Sequence, residues 1–293
     1  MQEIILSNNL LQVGILPELG ASLSFMKYKD MDILRPMDTK NTTLDSNSAS
    51  MFLMLPFCGR IRGGKFVYWG ITRKMKKNQA GIQDPIHGDG WKSKWNVVNK
   101  SDTSVTLKMS HDKEEGFPFS YEAQVIYTLK DAELNIETTL TNNAILPMPC
   151  GMGIHPFFTK TKDMELKFTS KMVWANESDP IFDRPYPTPE DWQFKDGKPI
   201  KSTIFDTCFG GFNGQAEIKY PSLGYRIKMQ ADEQYGHVVL YSPKGKGFVC
   251  LEPCTNASNA FNLASNGVIG TGIKSIGKNQ SITGRVSIKI EDE

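Results

Sequence analysis

Apolar and polar residues alternate along much of the chain, with clear examples in residues 105–109, 123–129, 225–229 and 286–290. Successive side chains of a β-strand point to opposite faces of a sheet, so this period of two predicts strands with one buried face. Turn-forming residues separate the alternating segments, and no segment has the periodicity and caps of an amphipathic helix. The pattern therefore predicts an all-β protein whose large antiparallel sheets pack face to face as a β-sandwich.

Length and charge indicate the domain organisation and the class of partner. No linker, internal repeat or low-complexity tract divides the chain, so we expect residues 1–293 to form a single domain. The 34 basic and 32 acidic residues nearly balance, which gives no reason to expect a nucleic-acid or membrane partner. A signal peptide and a membrane-spanning segment are not recognisable. We therefore expect a cytoplasmic protein with reduced cysteines, either a monomer or a homodimer.

Two histidines lie in segments that are dense in turn-forming residues. These segments are Gly151-Met-Gly-Ile-His-Pro-Phe-Phe158, which contains His155, and Asp84-Pro-Ile-His-Gly-Asp-Gly-Trp91, which contains His87. The ordinary pKa of histidine is about 6.5, so its side chain can donate or accept a proton near neutral pH. A single histidine beside a proline is also typical of a capped turn or of a core residue. The two segments therefore outline a chemical site without identifying it.

Three charged residues lie among apolar neighbours. Glu252 follows the apolar residues 248–251, which places a carboxylate at the end of a predicted buried strand. Asp206 is flanked by apolar residues, and Arg60 lies in the segment Pro56-Phe-Cys-Gly-Arg-Ile-Arg-Gly-Gly-Lys-Phe66. Buried charged groups are rare unless they are paired or functional. Each of the three also fits the role of an ordinary salt-bridge partner.

Taken in order, these segments resemble those of the aldose 1-epimerase (galactose mutarotase) family, and look most like its shorter bacterial branch. The resemblance extends from residues 16–21 to residues 252–256 and 259–262. It implies that Arg60 and His87 contact the substrate and that Asp206 holds sugar hydroxyls. It also implies that His155 is the general acid and Glu252 the general base of a β-sandwich enzyme with a sugar substrate and no cofactor.

Three positions depart from the pattern of the family. Gly59 stands where the family often has Asn, Asp84 where this branch often has a further His, and Phe157 where Tyr is common. The departures leave the implied acid and base in place. They change the polar groups available to a ligand, so they put the preferred sugar in doubt and not the reaction.

The chemistry that the resemblance implies suits these residues. Opening a cyclic hemiacetal removes the proton of the C1 hydroxyl and adds a proton to the ring oxygen, so it needs one base and one acid. An ionised Glu252 suits the first task and a protonated His155 the second, without a metal or a nucleotide. Trp91, Trp95 and Phe66 are candidates for packing against the sugar ring, and each also fits a place in the core.

Other functions remain open from the sequence alone. A group of basic residues favours either an epimerase for a phosphorylated or acidic sugar or a solvated basic surface. This group consists of Arg62, Lys65, Lys92, Lys94 and the segment Arg73-Lys-Met-Lys-Lys77. A non-catalytic carbohydrate-binding sandwich is a second alternative, although binding alone does not need a matched acid and base. No metal site is predicted, because only Cys250 and Cys254 are close in sequence and their spacing is not typical of zinc sites.

Overall fold

The computed structural model describes residues 2–38, 45–113, 116–174, 184–200 and 205–293. Antiparallel strands predominate in these ranges, and they form two large sheets, which confirms the predicted all-β sandwich. Within the same ranges, no helix has the length and apolar character that crossing a membrane requires.

The first sheet contains eleven strands in the described residues, numbered here along the chain. In the order of hydrogen-bonded neighbours they are β1 (Ile4–Ser7), β2 (Leu11–Leu16), β3 (Ser22–Tyr28), β5 (Met51–Met54), β13 (Gly153–Thr159), β22 (Phe248–Cys254), β21 (His237–Ser242), β18 (Phe205–Gly210), β15 (Met172–Val173) and β16 (Tyr186–Pro187), with β4 (Met31–Asp32) paired to β3.

The second sheet contains nine strands in the described residues. In order they are β17 (Lys198–Pro199), β14 (Glu165–Phe168), β19 (Gln215–Tyr220), β20 (Tyr225–Ala231), β24 (Ser281–Asp292), β11 (Glu133–Asn142), β10 (Tyr121–Lys130), β9 (Ser104–His111) and β8 (Asn96–Lys100). Two small ribbons pair β6 (Lys65–Tyr68) with β7 (Ile71–Lys74), and β12 (Met148–Cys150) with β23 (Lys274–Ile276). The helical segments that lie wholly within the described residues are α1 (Ala260–Ser265) and the 3-10 turns Ser46–Ser48, Arg62–Gly64, Glu190–Trp192 and Pro221–Leu223.

The alternating strands of the second sheet bury one face. In β10, Ala123, Val125 and Tyr127 are buried while the residues between them are partly exposed. The buried side chains join residues of the first sheet in one apolar cluster between the two sheets. The sequence pattern is thus explained by a sheet with one face in the core and the other towards water.

The central strands of the first sheet are buried on both faces. Every residue of β5 and β22 is buried, as are all residues of β13 except its last. Leu53, Ile154 and Leu251 belong to the cluster between the sheets, whereas Phe52 and Phe157 belong to a separate cluster on the opposite face. Functional side chains on these strands therefore lie on the face that points away from the second sheet.

Candidate active site

The register of two central strands places His155 beside Glu252. Strands β13 and β22 are antiparallel, and Gly153 pairs with Cys254 while Phe157 pairs with Cys250. His155 lies midway between Gly153 and Phe157, and Glu252 lies midway between Cys250 and Cys254. The two residues therefore face each other. Nε2 of His155 is 3.1 Å from Oε1 of Glu252, and the two residues are only 8% and 2% exposed.

Two phenylalanine rings hold the imidazole of His155. Phe52 on β5 is paired directly with His155, and the two rings stack with centroids 4.4 Å apart. Phe157 lies two residues after His155 on the same face, with a centroid distance of 4.6 Å. Because both neighbouring rings are buried, the imidazole has little freedom to rotate, and Nε2 stays directed at Glu252.

Asp206 is brought to the same face by the next two strands. Val239 on β21 pairs with Glu252, and Cys208 on β18 pairs with Val239. Asp206 lies two residues from Cys208, so its side chain shares the face that carries the histidine and the glutamate. Burial raises the pKa of Asp206, and the positive charge of Arg60 opposes this shift.

Arg60 and His87 come from two loops that cover this face. A short antiparallel bridge joins Arg60 to Ile86, and the backbone amide of Arg60 donates to Oγ of Ser258 at 3.1 Å. His87 has a φ of 58°, and its Nδ1 accepts a hydrogen bond from the amide of Gly59 at 3.2 Å. Nδ1 therefore carries no proton, which leaves Nε2–H of His87 as the donor.

All five residues line one cavity of about 380 Å³. The structure thus brings together Arg60, His87, His155, Asp206 and Glu252, and their individual roles stay predictions. A second depression of about 740 Å³ lies elsewhere, beside the buried His237 and Thr255, and includes none of the five.

Burial determines the protonation of the central pair. Removal from water raises the pKa of the Glu252 carboxyl well above its ordinary value, and Asp206 adds to this shift. Removal from water also lowers the pKa of His155 to about 3. Both shifts favour the uncharged forms in the free protein, and in those forms the carboxyl of Glu252 is the donor to Nε2. The ionised Glu252 and protonated His155 expected above are disfavoured there, because surroundings of low dielectric constant oppose both charges.

Burial also keeps His87 neutral. Desolvation lowers its pKa well below the ordinary value, and the nearby His155 and Arg60 lower it further. The rings of His87 and His155 are nearly perpendicular, with centroids 5.6 Å apart. A neutral donor, a carboxylate acceptor at Asp206 and an acid–base pair thus surround a space that suits a small polyhydroxylated molecule.

A sequence profile of aldose 1-epimerases matches residues 2–289, which is nearly the whole chain. The chain belongs to the aldose 1-epimerase family. Two proteins of Escherichia coli (strain K12), both described as uncharacterized, are similar to it. YphB is 26% identical over 267 residues, covering 88% of this chain and 89% of YphB. YihR is 26% identical over 253 residues, covering 83% of this chain and 80% of YihR.

Solved structures show the same fold. A protein of Escherichia coli K12, provisionally named an aldose 1-epimerase, superposes with a TM-score of 0.91 at 23% identity, over 100% of this chain and 99% of that one. Galactose 1-epimerase from Lactobacillus acidophilus NCFM superposes with a TM-score of 0.79 at 14% identity, over 99% of this chain and 94% of that one. The galactose mutarotase-like fold of this aldose 1-epimerase family member is therefore confirmed.

The aromatic residues of the cavity differ from the sequence candidates. Trp91, Trp95 and Phe66 are at most 1% exposed and belong to the core, which is the alternative place that the sequence left open for them. The ring of Trp91 stacks on Phe52 at 5.1 Å, so it supports the phenylalanine that holds His155. The aromatic residues that do line the cavity of this family member are Phe52, Phe157, Tyr241 and Phe248.

Sequence reasoning missed Arg35, which also lines the cavity. Its guanidinium lies over the rings of Phe157 and Phe248, at 4.1 and 4.7 Å from the ring centroids. The segment Leu34-Arg-Pro36 contains no glycine-rich turn or other motif that marks a site. Only the pairing of strands brings Arg35 to the aromatic residues of β13 and β22.

The basic group noted in the sequence lies outside the cavity of this family member. Lys92 packs over the ring of Trp91 at 4.4 Å, and Lys94 is 3.5 Å from Glu18. Arg73 lies over the ring of Phe119 at 5.1 Å. None of the basic group is among the residues that line the cavity, which favours the interpretation as a solvated basic surface.

The thiols lie close to the site. All five cysteines are free and buried, and Cys58, Cys250 and Cys254 share the apolar cluster of Phe52 and Phe157. The ligand-type atoms of His155, Cys250 and Glu252 lie within 4.8 Å of one another. Burial raises the pKa of Cys250 well above its ordinary value, whereas a metal binds the thiolate. A thiol that keeps its proton is a poor metal ligand, so these three residues do not favour a metal site. That the protein binds no metal stays a prediction.

Proposed function

We propose that this protein is an aldose 1-epimerase that interconverts the α and β anomers of a hexose or related sugar. The proposal rests on one observation, the 3.1 Å contact between Nε2 of His155 and Oε1 of Glu252 inside the cavity. Two groups that exchange a proton along one hydrogen bond supply the acid and the base that ring opening requires.

Proton transfer within the pair prepares it for catalysis. Moving the carboxyl proton of Glu252 to Nε2 of His155 gives a carboxylate and an imidazolium without changing the number of protons in the pair. Sugar hydroxyls that donate to the carboxylate stabilise this charged form, because they replace the water that burial removed. The charge states expected from the sequence thus belong to the sugar complex.

Ring opening then follows from these charge states. Glu252 accepts the proton of the C1 hydroxyl while His155 protonates the ring oxygen. The bond between C1 and the ring oxygen breaks and a carbonyl forms at C1. Rotation about the C1–C2 bond presents the other face of the aldehyde, and closure reverses both proton transfers. Acid–base catalysis of this kind contributes roughly 10²- to 10⁴-fold.

The remaining residues position the sugar. In this proposal Nε2–H of His87 and the guanidinium of Arg60 donate to sugar hydroxyls, and the carboxylate of Asp206 accepts from them. Hydrogen bonds that involve a charged group contribute about 1.5–3 kcal/mol each. The apolar rings of Phe157 and Phe248 border the same space and exclude water from the reacting atoms.

A direct test is the exchange between α and β anomers, measured by NMR saturation transfer between their C1 protons over a panel of aldoses. We expect the wild-type protein to accelerate exchange of at least one sugar, and His155→Asn to lose most of this activity. Lys94→Gln, a surface change outside the cavity, is the matched control and should behave as wild type. Binding of a sugar without acceleration of its exchange would instead support a non-catalytic carbohydrate-binding protein.

We also propose a cytoplasmic location, which five free and buried thiols support, because such thiols persist in a reducing compartment. Fractionation of the source cells tests it, and recovery of the protein in an oxidising compartment contradicts it.

A further inference from the structure

Arg35 is held in a fixed position at the wall of the cavity. Its Nη2 donates to the backbone carbonyls of Asn47 at 3.0 Å and Ala49 at 2.7 Å. One face of the guanidinium covers the rings of Phe157 and Phe248. These two hydrogen bonds and two ring contacts leave the side chain of Arg35 little freedom. The protein therefore fixes the direction in which the remaining N–H groups point.

The positive charge of Arg35 has no counter-charge in the protein. Among the residues that the structure describes, no carboxylate lies within 4.0 Å of its guanidinium nitrogens, and Nε and Nη1 have no protein acceptor. The two carbonyls that accept from Nη2 are neutral. Partial burial of a charge without a partner is unfavourable, so an unpaired guanidinium at a cavity wall indicates a ligand that supplies the missing charge.

The other charges of the cavity do not fill this role. Asp206 faces the positive charge of Arg60, which acts on its pKa. Glu252 is engaged with His155 at 3.1 Å. Neither Arg35 nor Arg60 has a carboxylate within 4.0 Å among the described residues, but the charge of Arg60 acts on Asp206, whereas no carboxylate acts on the pKa of Arg35.

We infer that the substrate is an aldose that carries an oxyanion, such as a carboxylate or a phosphate, and that Arg35 binds this group. The inference rests on the proposed function, since it concerns the same cavity. A guanidinium presents a planar fork of N–H donors that matches two oxygens of a carboxylate or phosphate. A neutral hydroxyl can be bound by an uncharged donor, as proposed for His87, whereas only an oxyanion neutralises the charge of a guanidinium.

Arg35 lies close enough to the acid–base pair to contact the same molecule. Its guanidinium is 4.1 Å from the ring centroid of Phe157, and that ring stacks on His155 with centroids 4.6 Å apart. Phe157 therefore contacts both Arg35 and His155, and an oxyanion on the guanidinium lies beside this shared ring. This arrangement suits an anionic substituent on the sugar remote from C1.

The test compares neutral and anionic sugars with the same ring. Anomeric exchange of glucose, glucuronate and glucose 6-phosphate, and of galactose and galacturonate, is measured by NMR saturation transfer after subtraction of the uncatalysed rate. For the wild type, we expect kcat/KM to be at least about 10-fold higher for an anionic sugar than for its neutral counterpart. The carboxylate and phosphate substrates distinguish the two oxyanions.

Two variants of Arg35 test its role in this preference. Arg35→Gln removes the charge and should lower kcat/KM for the anionic sugar on the order of 10- to 100-fold, mostly through KM, since that is the range for a charged hydrogen-bonded contact. Exchange of the neutral sugar should fall by less than exchange of the anionic sugar, and an unchanged melting temperature shows that the variant is folded. Arg35→Lys keeps the charge and should retain part of the preference. Lys94→Gln should change neither substrate.

The possible outcomes separate the two proposals. A wild type that accelerates neutral and anionic sugars alike contradicts the inference and leaves the epimerase proposal intact. Equal losses for both substrates in Arg35→Gln and Arg35→Lys also contradict it, because they indicate a purely structural role. If no sugar of either class is accelerated, the epimerase proposal fails and the inference fails with it.

Discussion

Replacing Glu252 by glutamine is a selective perturbation of the proposed mechanism. The amide has nearly the size of the carboxyl group and can donate to Nε2 of His155, but it cannot accept the proton of the C1 hydroxyl. We expect kcat/KM to fall by roughly 10²- to 10⁴-fold, the usual contribution of acid–base catalysis. At 1.36 kcal/mol for each factor of ten, this corresponds to about 3–5.5 kcal/mol of transition-state stabilisation.

The same variant tests the charge of the pair. If Glu252 and His155 are uncharged in the free protein, the substitution exchanges one neutral donor for another, and the free energy of unfolding should change by less than about 1 kcal/mol. If they form an ion pair, the substitution leaves a buried imidazolium without a partner, which typically costs about 3–5 kcal/mol. Glu252→Ala removes the donor in either case and should destabilise by about 1–3 kcal/mol.

Two assays are sufficient for this prediction. Anomeric exchange by NMR gives kcat/KM on a sugar that the wild type is shown to convert, and urea denaturation gives the free energy of unfolding. An activity within about threefold of wild type would refute Glu252 as the base. A loss of several kcal/mol of stability would refute the uncharged pair even if activity falls as expected.

Three further predictions concern pH and the loop of His87. Burial lowers the pKa of His155 to about 3 and lowers that of His87, so these two histidines bind fewer protons in the folded protein than in the unfolded chain below pH 6.5. Their contribution to stability should therefore fall as pH drops from 6.5 towards 3, while the raised pKa values of Glu252 and Asp206 act in the opposite direction. Urea denaturation of Glu252→Gln, which lacks the titration of Glu252, should show a steeper fall than wild type, and equal pH profiles contradict this. Asp89 lies two residues after His87 in the same loop, and it accepts a hydrogen bond of 2.7 Å from the hydroxyl of Tyr121. Tyr121→Phe should therefore lower the free energy of unfolding by about 1 kcal/mol and raise KM. An unchanged melting temperature and KM would show that this hydrogen bond does not position the loop. Gly88 has a φ of 68°, and a Cβ there would lie 1.9 Å from the carbonyl oxygen of Leu55. Gly88→Ala should therefore lower the free energy of unfolding by at least about 1–3 kcal/mol, measured in thermal melts. A variant as stable as wild type refutes the close approach.

The sequence predicted those elements whose pattern is local. The alternation in residues 123–129 and 286–290 falls within β10 and β24, where one face is buried and the other meets water. The doubly buried strands β5 and β22 show no such alternation, because both of their faces contact other side chains. That one domain spans residues 1–293 stays a prediction.

The five candidate site residues were found through the order of their motifs, and their roles remain proposals. Arg35 escaped notice because its surroundings arise from β13 and β22, which are distant in sequence. The charge states of His155 and Glu252 were also beyond reach, since a pKa depends on burial that no local pattern specifies. Arg35 and the charge states of the acid–base pair thus depend on contacts between segments that are distant in the chain, which the sequence alone does not specify.

A double-mutant cycle on the acid–base pair tests the central claim most directly. Anomeric exchange is measured by NMR for wild type, His155→Asn, Glu252→Gln and the double variant on one confirmed sugar. Because the two residues act together in the same ring-opening step, the double variant should be at most a few-fold slower than the slower single variant. If the two losses instead multiply, His155 and Glu252 act independently, and the account of a coupled acid–base pair is contradicted.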